Sequence, residues 1–305
     1  MGELIASMAG TPEGEVLAVA LALLSALSHA VFGAINKGGR DPYLTRGAIN
    51  VCYGLTALPV ALFVVPWPTP TLWAVLAGVY LIHIVYEWLQ SRAFEIGGFT
   101  VVYPIARGTG PLLTAVFASL LFGEAFGAGQ WAGMALLTGA IYALAWANLR
   151  ALGVTDLAAA RTLRAAILTA LVTGAMISVY TLYDAWGIRL AANPFTFLAW
   201  FFVLGGCGFP LIALARWRRL RPEQRPEPRE LAVRGVFGAL IAFFSFGGVM
   251  LAMRLGAVGE AAAIRETSIV FATAIGVLIF RERIDALRLC LIGLVALGAV
   301  LVKLG

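Results

Sequence analysis

Residues 100–124, TVVYPIARGTGPLLTAVFASLLFGE, constrain this chain more than any other stretch. They are long enough to cross a bilayer as one helix, at about 1.5 Å per residue over a hydrocarbon core of about 30 Å. Near the middle lies an arginine, Arg107, followed by the helix-weakening residues Gly108, Gly110 and Pro111. A charge or a broken backbone at membrane depth persists only where protein buries it or where it lines a wet cavity. The stretch has a counterpart 158 residues later, 260–282, EAAAIRETSIVFATAIGVLIFRE. At that offset Arg107 meets Arg265, Thr109 meets Thr267, Leu120 meets Leu278, Phe122 meets Phe280 and Glu124 meets Glu282. Leucine and phenylalanine matches are cheap in apolar sequence. An arginine and a glutamate repeated at one spacing are not.

Hydrophobic residues make up 61% of the 305 and charged residues only 12%, about half the charge of a soluble domain. The apolar runs are long and continuous, which excludes a transmembrane barrel with its alternating strands of about 10 residues. Ten spans are expected, at 16–36, 44–65, 72–94, 98–122, 128–149, 165–187, 194–217, 231–253, 257–280 and 286–303. Asp41-Pro42, Pro66-Trp67-Pro68, Gly97-Gly98, Asn193-Pro194 and the proline-rich run 221–230 punctuate them. Thr155 and Asp156 suit the cap of a short connecting helix. Five spans per half is an odd number, so the second copy enters the membrane from the opposite face. The expected fold is an all-α membrane protein with ten transmembrane helices, arranged as two inverted-topology five-helix repeats around a central cavity. Residues 1–150 form the first repeat, 151–164 a cytoplasmic connector and 165–305 the second repeat.

Lys and Arg fall 17 on one side of these spans and 3 on the other, which assigns the richer side to the cytoplasm and both termini to the outside. The net charge of +6 therefore marks topology and lipid contact, not nucleic-acid binding. The first residues lack a basic segment, so no cleaved signal peptide is expected. Cys52, Cys207 and Cys290 each sit in an apolar run without metal-ligand spacing, and read as packing or lipid-facing residues. No hydrolase, P-loop or metal signature is present, so neither an enzyme nor a cofactor or metal is expected.

The candidate binding residues lie in the third, fourth and ninth spans. Tyr80, His83, Glu87 and Gln90 recur at helical spacing on one face of the third span. Glu87 lies one turn, about 6 Å, toward the cytoplasm from His83, at a depth similar to Arg107 on the next span. Glu87 and Arg107 are expected to approach as opposite poles of a small-molecule site. A buried ion pair that merely pins two helices is the competing reading. Tyr103, one turn before Arg107, together with Tyr80, Tyr86, Tyr180 and Tyr183, suits a cavity wall. Arg265 and Glu266 point about 100° apart on the ninth span and need not pair with each other. His29, beside Ser25 and Ser28, reads as structural. Gly108, Gly110 and Pro111 are expected to unwind the fourth span locally. Gly129 and Gly133 form a small-residue pair suited to close helix contact.

With Pro104 or Pro111 in the fourth span, Gly123-Glu124 closing it, a glycine-rich fifth span and Glu282 closing the ninth, the chain resembles the EamA branch of the drug/metabolite transporter superfamily. The paired intramembrane arginines are similar to its amino-acid exporter members. Ile269 stands opposite Pro111, and Arg281 replaces the glycine before Glu282. The resemblance implies a monomeric, multi-pass carrier of the bacterial inner membrane that exports amino acids or related small zwitterions by alternating access. Tyr80, His83, Glu87, Tyr103, Arg107, Arg265 and Glu266 would be its substrate-binding residues, an arginine taking the carboxylate and Glu87 or Glu266 the ammonium. Protonation of Glu87 or His83 would couple flux to a proton gradient. The alternative substrate is an organic cation or drug drawn to Glu87 and the tyrosines. A pore or receptor is a third class, which saturable counterflow excludes.

Overall fold

The computed structural model describes residues 2–37, 41–97, 99–151, 157–278, 281 and 284–305. Among these residues the secondary structure is entirely helical. The first half holds α1 (Gly2–Ser7), α2 (Pro12–Lys37), α3 (Pro42–Phe63), α4 (Pro70–Ile96), α5 (Phe99–Phe122) and α6 (Ala128–Ala151). The second holds α7 (Leu157–Leu190), α8 (Pro194–Arg219), α9 (Pro228–Ala242), α10 (Gly248–Leu255), α11 (Val258–Arg265), α12 (Ser268–Leu278) and α13 (Ala286–Leu304). A π-helical turn, Phe243–Gly247, joins α9 to α10 within one span. Nine stretches of the described residues are long and apolar enough to cross a membrane. The remaining span in chain order is α11 followed by α12, of 8 and 11 residues, each too short alone.

The spans start where local chemistry stops the preceding loop. Asp41, Thr69 and Asn193 each cap a helix whose first residue is proline. The Asp41 carboxylate accepts the Tyr43 and Leu44 amides at 2.9 and 3.1 Å, satisfying donors that a helix start leaves orphaned. α7 begins at Leu157, so the described part of the expected connector continues straight into the sixth span. Thr155 and Asp156 lie outside the described residues.

The break in the backbone is not where the glycines and prolines suggest. α5 runs uninterrupted through Gly108, Gly110 and Pro111. α7 braces it there: Ser178 Oγ donates to the Gly110 carbonyl at 2.9 Å, and Gly174 lies flush against Thr109 and Ala106. Side chains of a neighbouring helix can thus hold a proline-containing span together. The interruption falls instead in the partner span, at Glu266 and Thr267. Ile269 donates its amide to Glu266 and Val270 to Thr267, at 3.0 and 2.9 Å, one residue short of the helical register. The Arg265 carbonyl thereby loses its helical donor and is free to face α5.

Equivalent spans of the two halves meet each other. α3 packs along α8, α6 along α13 and α5 against α11. The contacts are reciprocal, as an axis between the halves requires. A Cβ on Gly54 would stand 2.7 Å from the Gly206 Cα, and one on Gly206 would stand 2.7 Å from the Gly54 Cα. Gly133 and Gly298 likewise back onto each other's carbonyls, each at 2.8 Å from the added Cβ, so Gly133 serves the close contact expected of it. The correspondence extends to backbone conformation. Gly123 has φ +67°, and Arg281 at the matched position has φ 54° although it carries a side chain. Phe280 and Glu282 lie outside the described residues.

Replacing Gly206 by leucine forces α3 and α8 apart. A destabilisation of about 1–3 kcal/mol or more is expected, seen as a lower melting temperature of purified protein. Gly139→Ala, where nothing lies within 4 Å of an added Cβ, should leave that temperature unchanged or slightly raised.

Candidate functional site

The broken span brings its two charged residues to the midline of the molecule. Arg107 on α5 pairs with Glu266 at 2.9 Å, and both are nearly excluded from solvent. Arg107 Nη2 also donates to the freed Arg265 carbonyl at 3.4 Å and to Ser268 Oγ at 3.3 Å. Glu266, Arg265 and Ser268 can all engage Arg107 because the chain stops being a helix between them. An unbroken helix would spread them around its circumference.

Arg265 points the other way, as its adjacency to Glu266 predicts. Its Nη2 contacts His29 Nδ1 and Ser245 Oγ, both at 3.4 Å, and its guanidinium lies 5.2 Å from the Phe246 ring centre. Ser245 and Phe246 belong to the π-helical turn, which widens the eighth span so that Ser245 reaches α2 as well. There the Ser245 carbonyl accepts Ser25 Oγ, and His29 Nδ1 lies 3.1 Å from Ser245 Oγ. His29 thus packs behind Arg265, with Tyr103 stacked 6.4 Å from it. No carboxylate among the described residues comes within ion-pair reach of Arg265.

A second acid enters from α7. Asp184, 1% exposed, holds His83 Nε2 at 2.9 Å. The His83 ring is enclosed by Tyr86, Tyr180 and Phe201, at centroid separations of 6.2, 4.9 and 4.9 Å. Sequence reasoning missed Asp184. The available signal was an aspartate within an apolar span, the same anomaly that singled out Arg107.

The expected approach of Glu87 to Arg107 is replaced by two separate pairs. Glu87 Oε1 takes Arg46 Nη2 at 2.6 Å, and Glu87 Oε2 takes Asn50 Nδ2 at 2.8 Å. Arg46, one of the 17 basic residues counted on the cytoplasmic side, is buried between the Phe32 and Phe246 rings at 5.6 and 5.7 Å. Arg46 and Asn50 sit one turn apart on α3, so a single helix face supplies both partners of the carboxylate. Both Glu87 oxygens are thus engaged within the protein. Tyr80 sits apart as well, half-buried with Ile84 against Gly208 of α8. Tyr183 packs on Gly78 and Trp186. Of the expected wall, Tyr180 reaches the central cavity, while Tyr86 packs against it and Tyr103 against His29.

Between these groups is a cavity lined by Arg107, Thr114, Tyr180, Thr181, Asp184, Met250, Arg265 and Glu266, among others. Its free volume is about 20 Å³, room for about one water. Four of the charged side chains around this cavity carry a buried atom without a hydrogen-bond partner: Arg107 Nε, Arg265 Nε, Asp184 Oδ1 and Glu266 Oε2. Two are donors and two acceptors. Buried polar atoms without partners are few in native proteins, so four on the side chains around one cavity single it out as the candidate site.

A second set of contacts holds the far end of α11. The Glu124 carboxylate accepts the Val258 and Gly259 amides at 2.7 and 3.1 Å, and binds Arg189 at 3.2 Å. Arg189 also donates to the Met253 and Gly256 carbonyls at 2.9 and 2.7 Å. The glutamate that ends α5 thus holds the start of α11, and both ends of α11 are tied to α5.

A ten-span helical chain whose halves interlock around a buried, charged cavity has the architecture of a membrane carrier. The EamA-like transporter family model matches residues 16–146 and 164–304, so the chain belongs to that family. Among solved structures, a chain titled only "Crystal structure of protein" is similar at a TM-score of 0.73 and 18% identity, covering 96% of this chain and 98% of that one. That likeness shows the fold alone. No curated protein matches the sequence.

Breaking the Arg107–Glu266 pair leaves one buried charge uncompensated. Glu266→Leu alone should cost about 3–5 kcal/mol of stability, while Arg107→Met with Glu266→Leu together should cost much less. Thermal denaturation of the purified variants measures the difference.

Proposed function

We propose that the protein is a secondary transporter that exports amino acids or related small zwitterions by alternating access. The observation that carries this reading is that four charged side chains around one cavity each hold a buried atom without a partner. Arg265, free of any described carboxylate, takes the substrate carboxylate through its guanidinium fork. Asp184, with Oδ1 unengaged, takes the ammonium, and the Tyr180 ring beside it favours the same cation. Arg107 and Glu266 form the adjoining wall, Tyr103 and His83 support it, and Glu87 acts indirectly by neutralising Arg46. The cavity is too small for any metabolite in this conformation, so binding requires the halves to separate. The residue ranges 1–150 and 165–305 are the rocking units of this scheme. We place the protein in a bacterial inner membrane as a monomer, with its basic loops in the cytoplasm and its termini outside.

An organic cation is the second reading, favoured by Asp184 beside the Tyr86 and Tyr180 rings, which lie 4.6 Å apart. Counterflow in proteoliposomes separates the two. The first reading expects saturable exchange of at least one of the twenty amino acids and none of the corresponding decarboxylated amine. Arg265→Ala should weaken the apparent affinity by roughly thirtyfold or more, about 2 kcal/mol. Exchange inhibited by choline-like cations but not by amino acids would select the second reading. Flux that does not saturate would reject a carrier.

A further inference from the structure

α11 is a partition between two cavities. Its Ala262, Arg265 and Glu266 line the central one, while its Glu260, Ala261 and Ile264 line another. At about 100° per residue these two sets fall on opposite sides of one short helix. The second cavity has a free volume of about 110 Å³ against about 20 Å³ in the first, room for several waters rather than one. It lies between the start of α2 and the end of α13, at the level where a bilayer's hydrocarbon gives way to headgroups.

Three charged side chains stand around it, one from each helix: Glu15 from α2, Glu260 from α11 and Lys303 from α13. Lys303 Nζ pairs with Glu260 Oε1 at 2.8 Å. Glu15 is exposed, and among the described residues no cation pairs with it. The ionised set therefore carries one negative charge in excess, which a single positive charge balances. The floor is apolar, built from Ala18, Val19, Ala261 and Ile264. A hard metal ion fits such a lining poorly, because it needs a nearly complete shell of oxygens. The described lining also has no aromatic ring, so it lacks the cage that favours a quaternary ammonium. A primary ammonium on a short alkyl chain suits both parts, with N–H donors for the carboxylates and carbons for the floor. The ammonium of Lys303 on Glu260 is an example of the polar half of that contact.

We propose that this second cavity is a binding site for a primary alkylammonium group, held between Glu15 and Glu260 behind α11. Two kinds of molecule bring that group to this depth: an ethanolamine phospholipid by its headgroup, and a free monoamine from the surrounding water. The lipid also brings a phosphate, for which the three donors of Lys303 Nζ leave capacity beside Glu260. The occupant touches α2, α11 and α13 together, so it holds α11 in its present position and raises stability by mass action. The site does not depend on what the central cavity carries.

Methylating the nitrogen tests the proposal, since choline keeps the charge of ethanolamine and has no N–H. In one arm the melting temperature of the full chain in detergent is compared in ethanolamine hydrochloride and choline chloride, at equal ionic strength and neutral pH. In the other, native mass spectrometry measures how much phosphatidylethanolamine or phosphatidylcholine of the same acyl chains the protein retains. The primary form should prevail in at least one arm. The expected margin is a melting temperature higher by about 2 °C or more, or a several-fold greater retention of the ethanolamine lipid. The arm that responds names the source, free amine or headgroup. Glu15→Gln, at an exposed position, should abolish the preference and leave the ligand-free melting temperature nearly unchanged. Glu13→Gln, in the same turn of α2 but outside the cavity lining, should keep it. Equal response to primary and quaternary forms in both arms would overturn the proposal, whatever the protein transports. So would a preference that survives Glu15→Gln or is lost equally in Glu13→Gln.

Discussion

Every element of this molecule is arranged around the cost of keeping ionised groups out of water and away from lipid. A charge at the centre of a bilayer is expensive on any scale, and a buried pair with one member removed is more costly than no pair at all. The chain solves this by pairing across helices: Arg46 with Glu87, Arg107 with Glu266 and His83 with Asp184. Each pair joins two different spans, and the Arg107 and His83 pairs join the two halves. Neither five-helix half could shield its arginine alone, so the halves must interlock. The reciprocal glycine contacts let them do so closely enough to exclude lipid.

That packing gives the broken span its purpose. α11 is short, and it is held at its start by Glu124 and at its end by Arg107 through the Arg265 carbonyl. Glu124 and Arg107 both belong to α5, so α5 and α11 move as one crossing unit or must release each other at one end. The π-helical turn next to Arg265 lies on the span that precedes α11, and such turns concentrate at functional positions. A rigid pair of crossing spans with irregular backbone beside a charged cavity is the kind of element that two packings of a bundle can bias.

The large features were legible from sequence because their physics is periodic. Apolar length gave the spans, and the offset between Arg107 and Arg265 revealed two halves that do meet at those residues. Gly133 was readable as a packing glycine for the same reason. What could not be read was partner choice among buried charges. Glu87 and Arg107 share a depth, but depth does not fix azimuth, and α3 turned out to present Arg46 and Asn50 to the glutamate. Arg46 was hidden by its place near a span end, where positive residues ordinarily mark a loop. The unwound segment was assigned to the span with Pro111, yet proline removes only one donor. The span with two adjacent charges needing different partners is the one that broke.

The central claim is that the charged middle is a vestibule that water and substrate reach from each side in turn. Thr181 is buried, lines the cavity and neighbours Asp184 without bonding it, so a cysteine there reports access directly. In a chain with Cys52, Cys207 and Cys290 replaced, a membrane-impermeant thiol reagent should modify Thr181→Cys from either face of a vesicle. A transported amino acid should slow that reaction. A cysteine at this position that reacts from neither face, at any pH and with or without amino acid, would contradict the account.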